Sequence, residues 1–324
     1  MRPTHPPQRA RWACDSFLAV RPFRFAANVE RGRSAEHWRE VGRRAEALGY
    51  DSLLMPDHVT DQLAPVAAMT AIADATTTLR VGSFVFANDY RNPVMLAREA
   101  TTLDLLSGGR LEFGIGAGWN KQDYLQLGLP FDTAKVRVDR MEEAVGLIKR
   151  LWTEERVTHQ GTHYRVRDAM VRPKPTQRPH PPVMIGGSGP RMMRIASREA
   201  QIVALLPALD PLGVSTVRSL TMESMEKRIA TLRRSPRFSE LELNVIVFDA
   251  AVTDRPRSIV DALTARLKWA VSAVVESPFV IYGSRASIVE DLLARRERLG
   301  ISYIAVPGRA MRAFGPIIAA LRGK

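Results

Sequence analysis

The sequence predicts an α/β protein built as a closed (β/α)8 TIM barrel. Three observations carry this. Apolar segments of strand length alternate with helical patterns almost from end to end, giving about eight strands interleaved with helices. No intervening stretch is long enough to divide the chain. The length of 324 residues suits one such barrel with insertions, which typically takes about 250 residues. An open doubly wound sheet is the alternative that the same alternation allows.

The elements follow in order. Phe23 to Val29 reads as the first strand. Ser34 then caps a helix from His37 to Leu48, stopped by Gly49. Ser52 to Met55 is the second strand, closed by Pro56, and Pro65 to Ala75 is helical. Arg80 to Phe86 is the third strand. Asn92-Pro93 opens an amphipathic helix to Leu106, and Ser107-Gly108-Gly109 stops it. Leu111 to Ile115 is the fourth strand, followed by a helix from about Val136 to Trp152.

The rhythm then breaks. Val157 to Val171 alternates like a hairpin around Gly161, and a proline-rich run leads back to a fifth strand at Val183. A helix after Pro190, a strand at Ile202 to Leu205 and a helix from Met222 to Arg233 restore the pattern. Leu243 to Ala250 is strand-like. Helices at Ser258 to Val271 and Ser287 to Leu299 are separated by Ser277 to Gly283, and Tyr303 to Val306 with Ala310 to Leu321 complete the chain.

Composition narrows the class. Hydrophobic content of 45% with 25% charged residues is that of a globular protein. No apolar run approaches the roughly 20 residues that cross a bilayer, so no membrane partner is expected. Residues 1–20, rich in proline and arginine and lacking an apolar core, read as a poorly ordered extension to a barrel domain over 21–324. The one cysteine, Cys14, lies in that extension, which points to a reducing cytoplasm. The net charge of +13 raises a nucleic-acid partner, but the basic residues are mostly arginines scattered along the whole chain. No basic block with interleaved aromatics appears, and the charge reads as solvated helix faces.

In a barrel, chemistry belongs at the C-terminal ends of the strands. After the second strand come Asp57 and His58, a pair able to orient an imidazole for proton transfer. The third strand ends in the apolar Phe84, Val85 and Ala87, suited to line a flat ring. The fourth ends Gly114-Ile115-Gly116-Ala117-Gly118-Trp119-Asn120. Its G-x-G-x-G spacing, with no helix directly after it, is not a dinucleotide fingerprint. It reads as backbone packed closely against a planar ligand. After the fifth strand, Gly186-Gly187-Ser188-Gly189-Pro190 opens a helix whose free amides would cradle an anion. His159 and His163 have metal-like spacing but no third ligand, and read as solvated surface residues, so no metal is expected.

At these residues the chain resembles the luciferase-like monooxygenase superfamily, in its coenzyme F420-dependent oxidoreductase branch. The likeness runs from about Phe25 to Ala320. It rests on ALGYDSLLMPDH (47–58), the long run at 80–120, EAVGLIKRLW (143–152), HQGTHYRV, PKPTQRPHPPVMIGGSGPR and GISYIAV (300–306), all in order. The resemblance implies a bacterial luciferase-like barrel with a deazaflavin at its C-terminal mouth. Asp57 and His58 would then contact the cofactor, with His58 as acid or base. A non-prolyl cis peptide would join Phe84 to Val85. Ala87, Ala117 and Gly118 would line the cofactor, and Gly186, Gly187, Ser188 and Gly189 would hold its phosphate.

Gln62, Trp119 and Asn120 would face the substrate. The sugar-phosphate dehydrogenases of that branch carry a tryptophan and a glutamate where this chain has Gln62 and Trp119, which speaks against sugar-phosphate oxidation. The expectation is thus a cytoplasmic, homodimeric oxidoreductase that uses coenzyme F420 on a small organic molecule. An FMN-dependent monooxygenase on the same barrel and a non-catalytic flavin carrier are the alternatives.

Overall fold

A computed structural model describes residues 21–210, 215, 217–267 and 271–324. The expected extension, with Cys14, lies outside the described residues. The strands are β1 (Arg24–Asn28), β2 (Ser52–Met55), β3 (Arg80–Ser83), β4 (Phe86–Ala87), β5 (Leu111–Gly116), β6 (Val157–Gln160), β7 (Arg165–Ala169), β8 (Val183–Gly187), β9 (Ile202–Leu205), β10 (Glu242–Ile246), β11 (Asp249–Val252), β12 (Val280–Gly283) and β13 (Ile301–Pro307). Nine of them form one sheet in the order β3-β2-β1-β13-β10-β9-β8-β5-β4, and a β3–β5 pairing closes it. All its neighbours are parallel. Since β3 and β4 are two halves of one stave, the result is a closed eight-stave barrel.

The helices are α1 (Ala35–Ala47), α2 (Pro65–Ala75), α3 (Pro93–Leu106), α4 (Lys121–Leu127), α5 (Ala134–Thr153), α6 (Pro190–Glu199), α7 (Met222–Arg233), α8 (Pro256–Leu267), α9 (Val271–Val275), α10 (Arg285–Leu299) and α11 (Met311–Leu321). The caps read in the sequence do their work: Ser34 Oγ accepts from His37 N, and Asn92 Oδ1 from Val94 N. Helices around the barrel lay their apolar faces on the staves, whereas Val260, Leu263 and Val274 of α8 and α9 form a separate cluster beside β12. In α1 the apolar face is Trp38, Val41 and Ala45. The main core therefore lies between barrel and helices. A smaller one fills the barrel with Ala26, Leu54, Phe84, Met184, Ala204 and Tyr303.

Four expectations change. The third strand is not continuous, because a cis peptide between Phe84 and Val85 divides it into β3 and β4. The Leu243 to Ala250 strand leaves the barrel after Ile246, and β11 pairs instead with β12, in the segment read only as a separator. The helix expected to run to Val271 is described to Leu267, and Val271 begins α9. A helix does start directly after the fourth stave: Asn120 Oδ1 accepts from Gln122 N and caps α4. The short length of α4 hid it, and it supplies a residue that the site needs.

At the barrel's N-terminal face, ion pairs close the interior. Arg24 and Arg80 flank the buried Glu112, Arg24 also reaches Glu242, and Tyr303 donates to Glu112 at 2.8 Å. Nearby, Glu46 Oε1 accepts from the backbone N–H groups of Thr77, Thr78 and Leu79 at 2.9, 2.6 and 3.0 Å. Burial alone would raise this carboxyl. The hydrogen bonds from Thr78, Leu79 and Thr77 outweigh it and hold the pKa down to about 2. A depressed carboxyl stabilises the fold fully above its unfolded value of about 4.5, and that contribution disappears as pH falls through about 2. Glu46→Gln should therefore cost about 1–2 kcal/mol at neutral pH, discounted for its partial exposure. In urea melts the gap between the two proteins should close toward pH 2; a gap independent of pH would contradict the assignment.

Candidate functional site

A cavity of about 490 Å³ opens at the C-terminal ends of the staves, within the range of small-molecule sites. Six segments line it: Pro56 to His58 after β2, Phe84 to Ala87 with Tyr90, Gly116 to Asn120 after β5, the start of α5, Gly186 to Met192, and Leu206, Pro207 and Leu209 after β9. Every residue expected at the site lies on this wall except Gln62. That side chain donates to the Pro56 carbonyl at 2.8 Å and does not line this cavity. A wider opening of about 800 Å³ on the opposite face is lined by Arg24, Arg80, Glu112 and Glu242. Those charges already satisfy one another, and that face of a barrel serves stability.

Asp57 and His58 are adjacent in sequence but serve different networks. The Asp57 carboxylate takes a bidentate bond from Arg91, at 2.6 and 2.9 Å, and one from Ala87 N at 3.0 Å. It braces the segment that carries the cis peptide and does not orient the imidazole. Burial would lower the Arg91 guanidinium, but the Asp57 partner raises it. Arg91→Ala would leave a buried carboxylate short of its counter-charge. The expected loss is about 2–4 kcal/mol in denaturant melts, toward the low end for buried pairs because Arg91 is partly exposed. An unchanged midpoint would refute this role.

His58 instead reaches Asp123 on α4, Nδ1 to Oδ2 at 2.6 Å. Tyr90 Oη donates to the same oxygen at 3.0 Å, and Val59 N to Oδ1 at 3.3 Å. The Asp123 side chain is fully buried. Trp119 meets the His58 ring edge-on, with centroids 5.3 Å apart. Burial and the Asp123 carboxylate push the Tyr90 hydroxyl well above its ordinary value, so it stays a neutral donor. Sequence reasoning missed Asp123; the signal that could have found α4 is Asn120, whose side chain caps that helix.

The glycines of β5 find a reason in the chain itself. A Cβ on Gly114 would lie 2.0 Å from Ser83 O, and Cβ atoms on Gly116 and Gly186 would lie 2.8 and 3.3 Å from the Val85 methyls. These positions make room for the Phe84–Val85 bulge, which forms the cavity floor. Close approach to a planar ligand was expected of this segment; within the chain itself, Ser83 and Val85 are what approach it.

Across the cavity, Gly189 occupies the cap position of α6 with extended backbone (φ −79°, ψ 155°). A Cβ there would meet nothing within 4 Å. The first amides of α6 thus face open space beside Ser188. The rim is less basic than the net charge suggests. Arg191 is held by Asp139 and Glu142, and Lys135 pairs with Asp139 at 2.9 Å. The Arg137 guanidinium bonds the carbonyls of Gly118 and Asp132 and lies over Phe131. Asn120 lines the wall, but its amide oxygen is spent on capping α4.

Residues 16–299 match the luciferase-like monooxygenase family. The chain belongs to that family. Among curated relatives it is 37% identical over 209 residues to the F420-dependent glucose-6-phosphate dehydrogenase of Intrasporangium calvum, covering 57% of this chain and 61% of that one. It is 30% identical over 166 residues to the FMNH2-dependent dimethylsulfone monooxygenase of Pseudomonas putida, covering 49% and 46%. The matched regions span about half the length of the curated relatives. In fold, it superposes on the coenzyme F420-dependent tetrahydromethanopterin reductase of Methanopyrus kandleri with a TM-score of 0.76 at 16% identity, covering 93% of this chain and 100% of that one.

In a barrel of this kind, the cavity lies at the end of the staves where chemistry belongs. The hairpin insertion of β6 and β7 contributes no described residue to the wall of that cavity. In the hairpin, His159 is not the solvated residue expected, since its Nε2 pairs with Glu143 at 2.9 Å. Glu143 also accepts from His163 N and Tyr164 N, and Tyr164 Oη accepts from Asn88 Nδ2 at 3.0 Å. Among the described residues no helix is long and apolar enough to cross a membrane.

Proposed function

We propose that this luciferase-like protein is a coenzyme F420-dependent oxidoreductase acting on a small organic substrate. The observation that carries it is one cavity with two unlike ends: an open helix N-terminus beside Gly189, and a carboxylate-backed imidazole at His58. The residues fit such a cofactor. Phe84, Val85, Ala87 and Ala117 offer an apolar bed for a planar ring, and the α6 amides offer donors for a phosphate. When bound, the deazaflavin supplies the hydride-transfer chemistry at its C5.

The chain's own residues do the rest. Ser188, Gly189 and the start of α6 bind the phosphate, while the Val85 floor sets the depth at which a ring can lie. Trp119, Leu206 and Pro207 exclude water. With Nδ1 committed to Asp123, His58 presents Nε2 to the cavity and gives or takes the accompanying proton there. Matches to both F420-dependent and FMNH2-dependent relatives make the cofactor the first thing to test. Fluorescence titration of the purified protein should show F420 binding at least tenfold tighter than FMN; tight FMN binding without F420 binding would replace this reading with a flavin monooxygenase. Glucose 6-phosphate belongs in the first substrate panel beside enones, ketones and alcohols. The arginines lining the described cavity are already committed, which disfavours a second phosphate.

A further inference from the structure

We infer that Asp123 is the positioning residue of the site, fixing His58 in its Nδ1–H tautomer so that an unprotonated Nε2 faces the cavity. Three groups converge on this buried carboxylate: His58 Nδ1, and the donors Tyr90 Oη and Val59 N. An ionised carboxylate only accepts hydrogen bonds, so the nitrogen bonded to it carries the proton. Among the described residues, no arginine or lysine bonds this carboxylate. Tyr90, its hydroxyl kept protonated, and the Val59 amide occupy acceptor positions that would otherwise compete for a different ring orientation. Trp119 packs against the ring edge and opposes a flip about χ2. The neighbouring Asp57 cannot substitute, because Arg91 and Ala87 N take both of its oxygens.

The consequence is directional. A ring held as Nδ1–H can accept a proton at Nε2 from an alcohol-type substrate, and in the reverse direction returns it to a forming alkoxide. The imidazolium formed in between stays bonded to Asp123, and no electrons pass through either residue. Asparagine at position 123 keeps the shape but can turn its N–H toward Nδ1, which forces the proton to Nε2 and removes the acceptor from the cavity.

The catalytic consequence rests on the proposed function; the tautomer does not. Nitrogen-15 NMR of the cofactor-free protein, recorded on the neutral ring, should show the His58 proton on Nδ1. Asp123→Asn should move it to Nε2. The same variant should bind F420 within about threefold of the parent and turn over about 10²–10⁴ times more slowly. An Nε2–H ring in the unmodified protein overturns the inference without any variant having to fold, as does an Nδ1–H ring that persists in Asp123→Asn. An Nδ1–H ring in a protein that binds no F420 leaves the inference standing and removes the functional reading instead.

Discussion

Gly189→Asp should abolish cofactor binding while leaving the fold as stable as before. Gly189 is the cap residue of α6, its backbone is already extended, and a new Cβ meets nothing within 4 Å. Aspartate is among the best capping residues and exceeds glycine there by a few tenths of a kcal/mol. Its carboxylate would bond the α6 amides and carry negative charge where the proposed cofactor phosphate would sit. Losing two charge-assisted hydrogen bonds costs about 3 kcal/mol or more, which is a fall of the order of 10²-fold in affinity. Repulsion between like charges adds to that. Gly187 is a poorer test, since its Cβ would lie 2.9 Å from the Met192 Cβ in the buried face of the same helix. Equilibrium titration with F420 and a thermal melt of Gly189→Asp decide the matter together. Unchanged affinity would place the phosphate elsewhere; lost affinity with an equally lost melting temperature would show only damage.

The contrast between Asp57 and Asp123 shows what sequence order conveys and what it does not. The staves were legible because apolar runs of fixed length between helix signals leave little freedom, and β2, β9, α2 and α7 fall where the pattern puts them. Turns governed by local chemistry, such as the Gly186 to Pro190 entry to α6, were legible for the same reason. Pairing between side chains on different staves is another matter. Asp57 precedes His58, yet consecutive residues at a strand end point apart, and the imidazole finds its carboxylate 65 residues later. The β5 glycines were noticed for the right property, close approach, but only the three-dimensional neighbour shows that Ser83 and Val85 do the approaching. A two-residue strand interrupted by a bulge has no periodicity to read, and neither does a seven-residue helix.

His58→Asn should stop turnover without disturbing the site around it. Alanine at 58 removes one of the three groups that converge on a fully buried carboxylate, so its effects mix lost chemistry with the cost of an under-satisfied charge. Asparagine can place a side-chain N–H near the vacated Nδ1 position, which keeps Asp123 satisfied while offering the cavity no group that titrates near neutral pH. The expected result is a kcat about 10²–10⁴-fold lower, the span a positioned acid or base contributes. F420 affinity should be nearly unchanged, because the phosphate cradle proposed above lies at Ser188, Gly189 and the start of α6 rather than at His58. His58→Ala should be equally slow but also less stable by about 1–3 kcal/mol. The difference between the two variants isolates what the Asp123 bond contributes to folding from what the imidazole contributes to proton transfer. Turnover by His58→Asn within tenfold of the parent would show that the proton moves by another route. No turnover in any variant, or in the parent with any substrate, would favour a flavin carrier over an enzyme.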